Sequence, residues 1–333
     1  MSTLIIAEAG VNHNGDLAKA LDLVRCAAEA GADYVKFQTF VTGENITRHA
    51  PKARYQQETT GNTENQYDMV AALELTATDF YDIKAACDKY NIGFLSTAFD
   101  FPSADVLQKI GVDYIKIPSG DLTNLPLLRY QAQFGRPFLI STGMATCDDI
   151  KAAIAALENC DIQRSTITLL HCTTEYPAPY SELNLRALHT LAEKFGTRVG
   201  YSDHSLGIEV PIAAVAMGAS VIEKHFTLDC NLPGPDHRAS LPPNQLAAMV
   251  SAIRHIDTAM GDGKKQPTHS EQANRLIARK SIVARTAINA GDIFSIDNLA
   301  VKRPGTGISP MNWDEVIGRQ AKRDYLPDEL IEL

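Results

Sequence analysis

The chain contains eight short apolar runs, and each of them ends in polar or charged residues. Between successive runs, apolar residues recur at helical spacing. A strand followed by a helix, repeated eight times, is typical of a (β/α)8 TIM barrel of the α/β class. We therefore predict that the runs are the parallel strands of one closed barrel. They cover residues 4–10, 34–40, 93–99, 114–120, 137–143, 167–173, 199–204 and 220–227.

The polar ends of the runs predict where chemistry takes place. In such barrels the C-terminal strand ends line the active site, so side chains distant in sequence meet there. One polar strand end is uninformative, whereas eight in succession predict an active site at the C-terminal end of the barrel. The polar residues near the strand ends are Glu8, Lys36, Gln38, Thr97, Lys116, Ser119, Ser141, His171, His204 and His225.

The remaining chain predicts loops and a second domain. The 333 residues exceed the ~250 that are typical of this barrel. We predict a barrel over 1–260, a polar linker rich in breakers over 261–278, and a small β-rich domain over 279–333. The long connections 41–75 and 228–242 lie on the strand-end side and are predicted to be substrate loops.

Charge and composition exclude several classes of protein. The net charge is −9 without basic clusters, which argues against binding nucleic acid or a membrane surface. No apolar run approaches the ~20 residues of a membrane span. Because the chain enters its first strand directly, we expect no signal peptide. Its six cysteines show no CxxC spacing. We expect reduced thiols and a cytoplasmic location.

Two groups of strand-end residues indicate two kinds of ligand. His204 and His225, at neighbouring strands next to Glu8, could share a divalent ion used as a Lewis acid. Each histidine alone is more often a satisfied polar residue. Lys36 and Lys116, with nearby hydroxyls, favour an anion such as phosphate. The lysines could instead pair with carboxylates, and Lys116 could form a Schiff base.

Many motifs in order carry a resemblance over nearly the whole chain. They include EAGVNHNGD, VKFQTF, KIPSGD, LLHCTTEYPAPY, GYSDHS, IEKHFTLD and GPDH, and they resemble the sialic acid synthase family, the nonulosonic acid synthases. The tail, from SIVARTAI to VKRPGTGISP, resembles the antifreeze-like (SAF) domain that follows their barrel. The resemblance implies condensation of phosphoenolpyruvate with an N-acylmannosamine-type sugar and release of phosphate.

The resemblance also implies roles for particular residues. It implies Mn²⁺ or Mg²⁺ at His204 and His225, and a domain-swapped homodimer in which Arg303 reaches the partner's sugar. Implied phosphoenolpyruvate contacts are Lys36, Thr97, Lys116, Ser119, Ser141 and Ser202. Implied sugar contacts and acid–base groups are Glu8, Gln38, Asn62, Tyr176 and Asp236. Asp121, counted with the catalytic groups, stands where many relatives have Glu, and Ala98 replaces a common Pro.

The sequence leaves the exact reaction open. N-acetylmannosamine would give N-acetylneuraminate, whereas 2,4-diacetamido-2,4,6-trideoxymannose would give a legionaminate. The core motifs serve both, and we place the sialate slightly ahead. Two readings of other classes are a Schiff-base lyase that uses Lys116 and a non-enzymatic carbohydrate- or ice-binding protein.

Overall fold

The computed structural model describes residues 2–61 and 65–333 and contains a closed parallel barrel. Its strands follow one another in chain order, and β8 pairs with β1 to close the barrel. The predicted TIM barrel is confirmed. The strands are β1 (Leu4–Gly10), β2 (Tyr34–Thr39), β3 (Gly93–Ala98), β4 (Ile115–Ile117), β5 (Phe138–Ser141), β6 (Ile167–His171), β7 (Arg198–Asp203) and β8 (Val221–His225).

Helices fill the connections between strands. Eight of them lie close to the predicted positions: α1 (Leu17–Glu29), α5 (Ala77–Tyr90), α6 (Phe101–Ile110), α7 (Leu125–Ala132), α8 (Cys147–Glu158), α9 (Ala187–Phe195), α10 (Glu209–Ala216) and α11 (Pro243–Ala259). The connection after β2 also holds three short helices that the sequence did not predict: α2 (Thr42–Asn45), α3 (Arg54–Thr60) and α4 (Gln66–Ala71).

Side-chain caps explain where several helices begin. The Asp16 carboxylate accepts hydrogen bonds from the backbone N–H groups of Ala18 and Lys19, as its position before α1 predicts. Thr76 and Thr146 form capping boxes at α5 and α8 with acidic residues three positions later. These caps satisfy backbone donors that have no partner within the helix.

The barrel interior changes from apolar to polar along each strand. One buried cluster inside the barrel contains Ile6, Leu95, Leu139, Leu170 and Val221, with Tyr34 and Tyr114 packed against it. Successive strand residues alternate between the two faces, so the residue two positions later also points inward. Those later residues are Glu8, Lys36, Thr97, Lys116, Ser141, Cys172 and Glu223. The apolar layer thus supports a polar layer at the strand ends.

The chain divides into two compact units, Met1–Gly261 and Asp262–Leu333. The second unit has α12 (His269–Ala278), an antiparallel pair of β9 (Ser281–Ala284) and β10 (Leu299–Lys302), and α13 (Trp313–Val316). Its own core includes Ile282, Phe294, Leu299 and Tyr325. Helix α12 lies within the segment predicted to be a linker. In the described part of the chain, no helix combines the length and apolarity needed to cross a bilayer.

Candidate active site

Two adjoining cavities open at the C-terminal ends of the barrel strands. The strand-end cavity, of about 180 Å³, is lined by strand-end residues that include Glu8, Lys36, Lys116, His204 and His225. The loop cavity, of about 200 Å³, is lined by residues of the two long connections. The cavities share Gln38, Phe99, Tyr176 and His225 as lining residues. Together they reach the range of small-molecule sites, ~300–1,000 Å³.

The structure brings most of the predicted site residues together. Ten of them line the strand-end cavity: Glu8, Lys36, Gln38, Thr97, Lys116, Ser119, Ser141, Ser202, His204 and His225. Tyr176 borders both cavities, and Asp236 lines the loop cavity. Backbone pairing sets this arrangement, because Glu8 lies opposite both Lys36 and His225. Residues more than 200 positions apart in sequence therefore become direct neighbours.

Two predicted residues, Asp121 and Arg303, do not line these cavities, and a third cannot be placed. Asp121 does not line either cavity, and its Oδ1 accepts a hydrogen bond of 3.0 Å from Asn124. Asn62 lies outside the described residues. Arg303 belongs to the second unit, where its Nε donates to the carbonyl of Ala278 at 3.1 Å. His171, a weaker candidate, bonds through Nε2 to the carbonyl of Leu183.

A buried network of two lysines and two carboxylates occupies the floor of the strand-end cavity. Lys36 Nζ lies 2.8 Å from Glu8 Oε2 and 3.6 Å from Glu223 Oε2. Lys116 Nζ lies 3.3 Å from Glu223 Oε1. All four side chains are at most 4% exposed. The lysines therefore pair with carboxylates, which is one of the alternatives that the sequence left open.

Glu223 is the functional candidate that sequence reasoning missed. It follows Val221 by two positions in β8, so the alternation of the strand places it inside the barrel with His225. That alternation was the available signal. The Ser202 hydroxyl donates to Glu223 Oε1 at 2.9 Å. Burial opposes ionisation of Glu223, yet Lys116 and Lys36 outweigh burial and lower its pKa.

The two lysines also contact hydroxyls that can accompany them in binding an anion. Lys36 Nζ donates to Thr97 Oγ1 at 3.1 Å, and Lys116 Nζ donates to Ser141 Oγ at 2.9 Å. The Ser119 hydroxyl accepts from the backbone N–H of Gly143 and lies 3.1 Å from Cys172 Sγ. Cations and hydroxyls from neighbouring strands are a suitable set for a phosphate or carboxylate.

Glu8 is poised to exchange a proton. Burial raises the pKa of its carboxyl above the ordinary value, although Lys36 acts in the opposite direction. Glu8 Oε2 forms the 2.8 Å ion pair with Lys36, and no other described residue makes a hydrogen bond to this oxygen. This oxygen can bond to a ligand or a water. A carboxyl with a raised pKa can act as acid or base near neutral pH.

The geometry of the histidine pair is compatible with a metal ion. The rings of His204 and His225 lie 5.4 Å apart. His204 Nδ1 lies 2.6 Å from the carbonyl oxygen of Thr173, which can only accept, so its Nε2 carries the lone pair. Nε2 accepts from the Tyr176 hydroxyl at 3.0 Å. Burial lowers the pKa of His204 to about 4 and that of His225 well below its ordinary value. Both imidazoles are therefore neutral, as metal ligands must be.

Metal binding would need donors beyond these side chains. His225 Nδ1 is buried without a hydrogen-bond partner. Within residues 2–61 and 65–333, no group of three or more His, Cys, Asp or Glu side chains is arranged to hold a metal ion. The histidine pair thus fits an ion whose remaining ligands are water or substrate, as in an open catalytic site.

The loop cavity is lined by both apolar and polar residues. The apolar ones include Phe40, Met69, Val70 and Leu73. Among the polar ones, Asp236 is 7% exposed, and no described residue donates a hydrogen bond to its carboxylate. Burial raises the pKa of Asp236 to about 6. A buried carboxylate without a donor calls for a ligand that brings hydroxyl or N–H groups.

Comparison with known proteins identifies the family. The chain matches the NeuB family over residues 23–265 and the SAF domain over residues 279–332. It belongs to the NeuB family. It is 51% identical to the N,N'-diacetyllegionaminic acid synthase of Campylobacter jejuni, and the match covers 99% of this chain and 98% of that protein. It is 45% identical to the protein of the same name from Legionella pneumophila, and that match covers 96% of this chain and 90% of the Legionella protein.

A solved structure is also similar to this one. The N-acetylneuraminic acid synthetase of Leptospira borgpetersenii, determined in complex with citrate, matches with a TM-score of 0.72 and 37% identity. The match covers 82% of this chain and 90% of that one. The predicted family, nonulosonic acid synthases with a C-terminal SAF domain, is confirmed. Family membership also favours a synthase over the Schiff-base lyase and the non-enzymatic binding protein.

Proposed function

We propose that this enzyme condenses phosphoenolpyruvate with 2,4-diacetamido-2,4,6-trideoxymannose and water, giving N,N'-diacetyllegionaminate and phosphate. The observation that carries the proposal is the lining of the loop cavity, which combines a buried acceptor, Asp236, with several apolar side chains. A 6-deoxy sugar with two acetamido groups offers N–H donors to the Asp236 carboxylate and methyl groups to the apolar side chains. The names of the two relatives at 51% and 45% identity support the same sugar. This choice reverses the slight sequence-based preference for N-acetylmannosamine.

The anion-binding residues suit phosphoenolpyruvate. We assign its phosphate and carboxylate to Lys36 and Lys116, with hydroxyls from Thr97, Ser119, Ser141 and Ser202. Glu8 and Glu223 form ion pairs with these lysines. An incoming phosphate therefore replaces ion pairs instead of meeting two isolated buried cations. This arrangement avoids the large cost of burying unpaired charge before the substrate arrives.

The bonds that form and break follow from this placement. Carbon 3 of phosphoenolpyruvate attacks the aldehyde carbon of the open-chain sugar, which leaves positive charge at carbon 2. The aldehyde oxygen takes up one proton and becomes a hydroxyl, and the proton lost later by the attacking water balances this uptake. A water oxygen then bonds to carbon 2 and loses a proton. The tetrahedral species expels phosphate by breaking the bond from carbon 2 to the phosphate oxygen. Fixed charges and a positioned pair of reactants supply most of the acceleration.

The remaining strand-end residues orient the reactants and move protons. His204 and His225 would hold Mn²⁺ or Mg²⁺, which when bound would polarise the aldehyde oxygen as a Lewis acid. Glu8, with its raised pKa and its hydrogen-bonding capacity, takes the proton of the attacking water. Asp236 and Tyr176 orient the sugar from the wall of the loop cavity.

We also propose a homodimer in which Arg303 of one protomer binds the acyl group of the sugar in the barrel of the other. The assignment rests on the KRPG motif of the tail and on its resemblance to the family's partner arginine. The six cysteines are free thiols, which supports the proposed cytoplasmic location.

One assay tests the choice of sugar. Phosphate release from phosphoenolpyruvate is measured with Mn²⁺ and with each candidate sugar. We expect kcat/KM to be at least about tenfold higher with the diacetamido sugar, because filling or emptying an apolar subsite by one methyl-sized group changes rates roughly 10- to 200-fold. Equal or better use of N-acetylmannosamine would refute the assignment.

A further inference from the structure

Tyr55, on the short helix α3, extends a row of aromatic rings that begins at the two histidines. The Tyr176 ring stacks on His204 at 4.1 Å and meets His225 edge-on at 5.5 Å. The Tyr55 ring lies 5.1 Å from that of Tyr176, at an angle of 31°. The proposed chemistry takes place at the histidines and gives Tyr55 no role. Tyr55 nevertheless lines the loop cavity, one ring further from the reacting aldehyde.

The Tyr55 hydroxyl is an available donor. Gln56 Nε2 donates to the Tyr55 oxygen at 3.3 Å, and the orientation of this amide is fixed because Gln56 Oε1 accepts from the backbone N–H of Ala53. In the part of the chain that the structure describes, no group accepts the proton of the Tyr55 hydroxyl. Burial and the nearby Asp236 carboxylate raise the pKa of Tyr55, so the phenol keeps this proton.

The surroundings of Tyr55 define the chemical group that it can recognise. Gln66, from the next helix, lines the same cavity, and the apolar part of the lining includes Phe40, Met69 and Val70. A matching group has a strong acceptor for the phenol and a methyl for the apolar side chains. An acetamido group has both, through its carbonyl oxygen and its terminal carbon. A sugar hydroxyl has no methyl for those side chains.

Position decides which acetamido group of the proposed sugar reaches Tyr55. The aldehyde carbon lies at the histidines, and the first acetamido group is on the adjacent carbon. The second is on carbon 4, further along the chain. We propose that Tyr55 is a specificity-determining residue that donates a hydrogen bond to the carbonyl of the acylamino group on carbon 4. This inference rests on the proposed function, since N-acetylmannosamine has only a hydroxyl there.

The test compares Tyr55→Phe with the wild type, using both sugars and phosphoenolpyruvate. Phenylalanine keeps the ring and removes only the donor. A neutral hydrogen bond is worth about 0.5–1.5 kcal/mol, so we expect KM for the diacetamido sugar to rise about 2- to 13-fold. KM for phosphoenolpyruvate and the kinetics with N-acetylmannosamine should change less than about twofold. Tyr55→Ala should reduce the preference for the diacetamido sugar further.

A matched control exists on the same connection. Tyr67, on α4, packs beneath the Arg48 guanidinium at 4.9 Å and does not line the loop cavity. Tyr67→Phe should leave the ratio of kcat/KM for the two sugars unchanged, which separates recognition from a general loosening of the segment. An equal loss with both sugars in Tyr55→Phe, or an unchanged ratio, would overturn the role of Tyr55.

The same measurements separate this inference from the proposed function. Wild-type enzyme that prefers N-acetylmannosamine would refute the proposed function, and the role of Tyr55 with it. Wild-type enzyme that prefers the diacetamido sugar, together with a Tyr55→Phe variant that keeps the full preference, would refute only the role of Tyr55.

Discussion

Replacing Lys36 by methionine separates two roles that one buried lysine can have. Lys36 is 3% exposed and lies 2.8 Å from Glu8, which is 1% exposed. If the Lys36 ammonium also binds the phosphate of the substrate, Lys36→Met removes a charged hydrogen bond worth about 1.5–3 kcal/mol. The dissociation constant for phosphoenolpyruvate should then rise about 13- to 160-fold. Isothermal titration calorimetry with Mn²⁺ and without sugar measures this constant directly.

The same substitution also affects stability. Removing one partner of a buried ion pair typically costs about 3–5 kcal/mol. Because burial already raises the pKa of Glu8, this carboxyl can take up a proton instead of remaining charged, and we expect the lower end of that range. For a domain of this size, ~1 kcal/mol corresponds to roughly 2–4 °C in the midpoint of thermal unfolding. The variant should therefore unfold several degrees below the wild type.

A double variant and a control distinguish the two effects. Adding Glu8→Gln to Lys36→Met removes the unpaired charge, so stability should recover while phosphoenolpyruvate binding stays weak. Lys224 is an equally buried lysine, paired with Asp203 at 2.5 Å, but it does not line the strand-end cavity. Lys224→Met should therefore lower the free energy of unfolding without weakening the binding of phosphoenolpyruvate. Wild-type affinity in Lys36→Met would show that this lysine is only a structural partner of the carboxylates.

Three further predictions concern the metal, the sugar and the dimer. His204→Ala and His225→Ala should each weaken Mn²⁺ binding, measured by equilibrium dialysis, and lower the rate by orders of magnitude; full activity of either variant in chelator would exclude the metal role. The pKa of Asp236 is raised to about 6, so its ionised form is lost as pH falls through that value. Burial raises the pKa of Glu8 to about 7, so the acidic limb of kcat/KM for the sugar should contain two ionisations, and Asp236→Asn should remove only the one near pH 6; an ionisation near pH 6 that persists in the variant would assign it to another group. Co-expression of Glu8→Gln and Arg303→Ala, each nearly inactive alone, should restore about one quarter of wild-type sites if the dimer exchanges Arg303. Confirmed mixed dimers with no gain in activity would rule out exchange.

The strands and the polar strand ends could be predicted because their signals are local. Each apolar run is bounded within a few residues, and the alternation of a strand makes residues two apart share a face. The cap at Asp16 is also local and lies where it was predicted. The short helices α2, α3 and α4 could not be predicted in this way. None of them has more than one buried residue to produce an apolar pattern.

The candidate site was predictable in its composition but not in its pairing. Lys36, Lys116 and Glu8 could be named from their strand ends, whereas the carboxylate between the lysines, Glu223, was overlooked in favour of His225. Both residues have the same parity in β8, so both point inward. Which lysine each carboxylate meets depends on strand register, which no single strand contains.

The sequence by itself determined the barrel class, the family and the chemical character of the strand ends. Those properties depend on spacing and residue type within short segments, and motifs in order reinforce one another. Only the tertiary structure decided that Lys36 and Lys116 share Glu223 as an ion-pair partner. It also decided that Asp236 and the α2–α4 connection border the same cavity. Finally, it placed Tyr55 next in the row of rings that begins at the histidines. The reason is closure of the barrel: backbone pairing of β1 with β8 brings together segments more than 200 residues apart, and local sequence patterns carry no information on such distances.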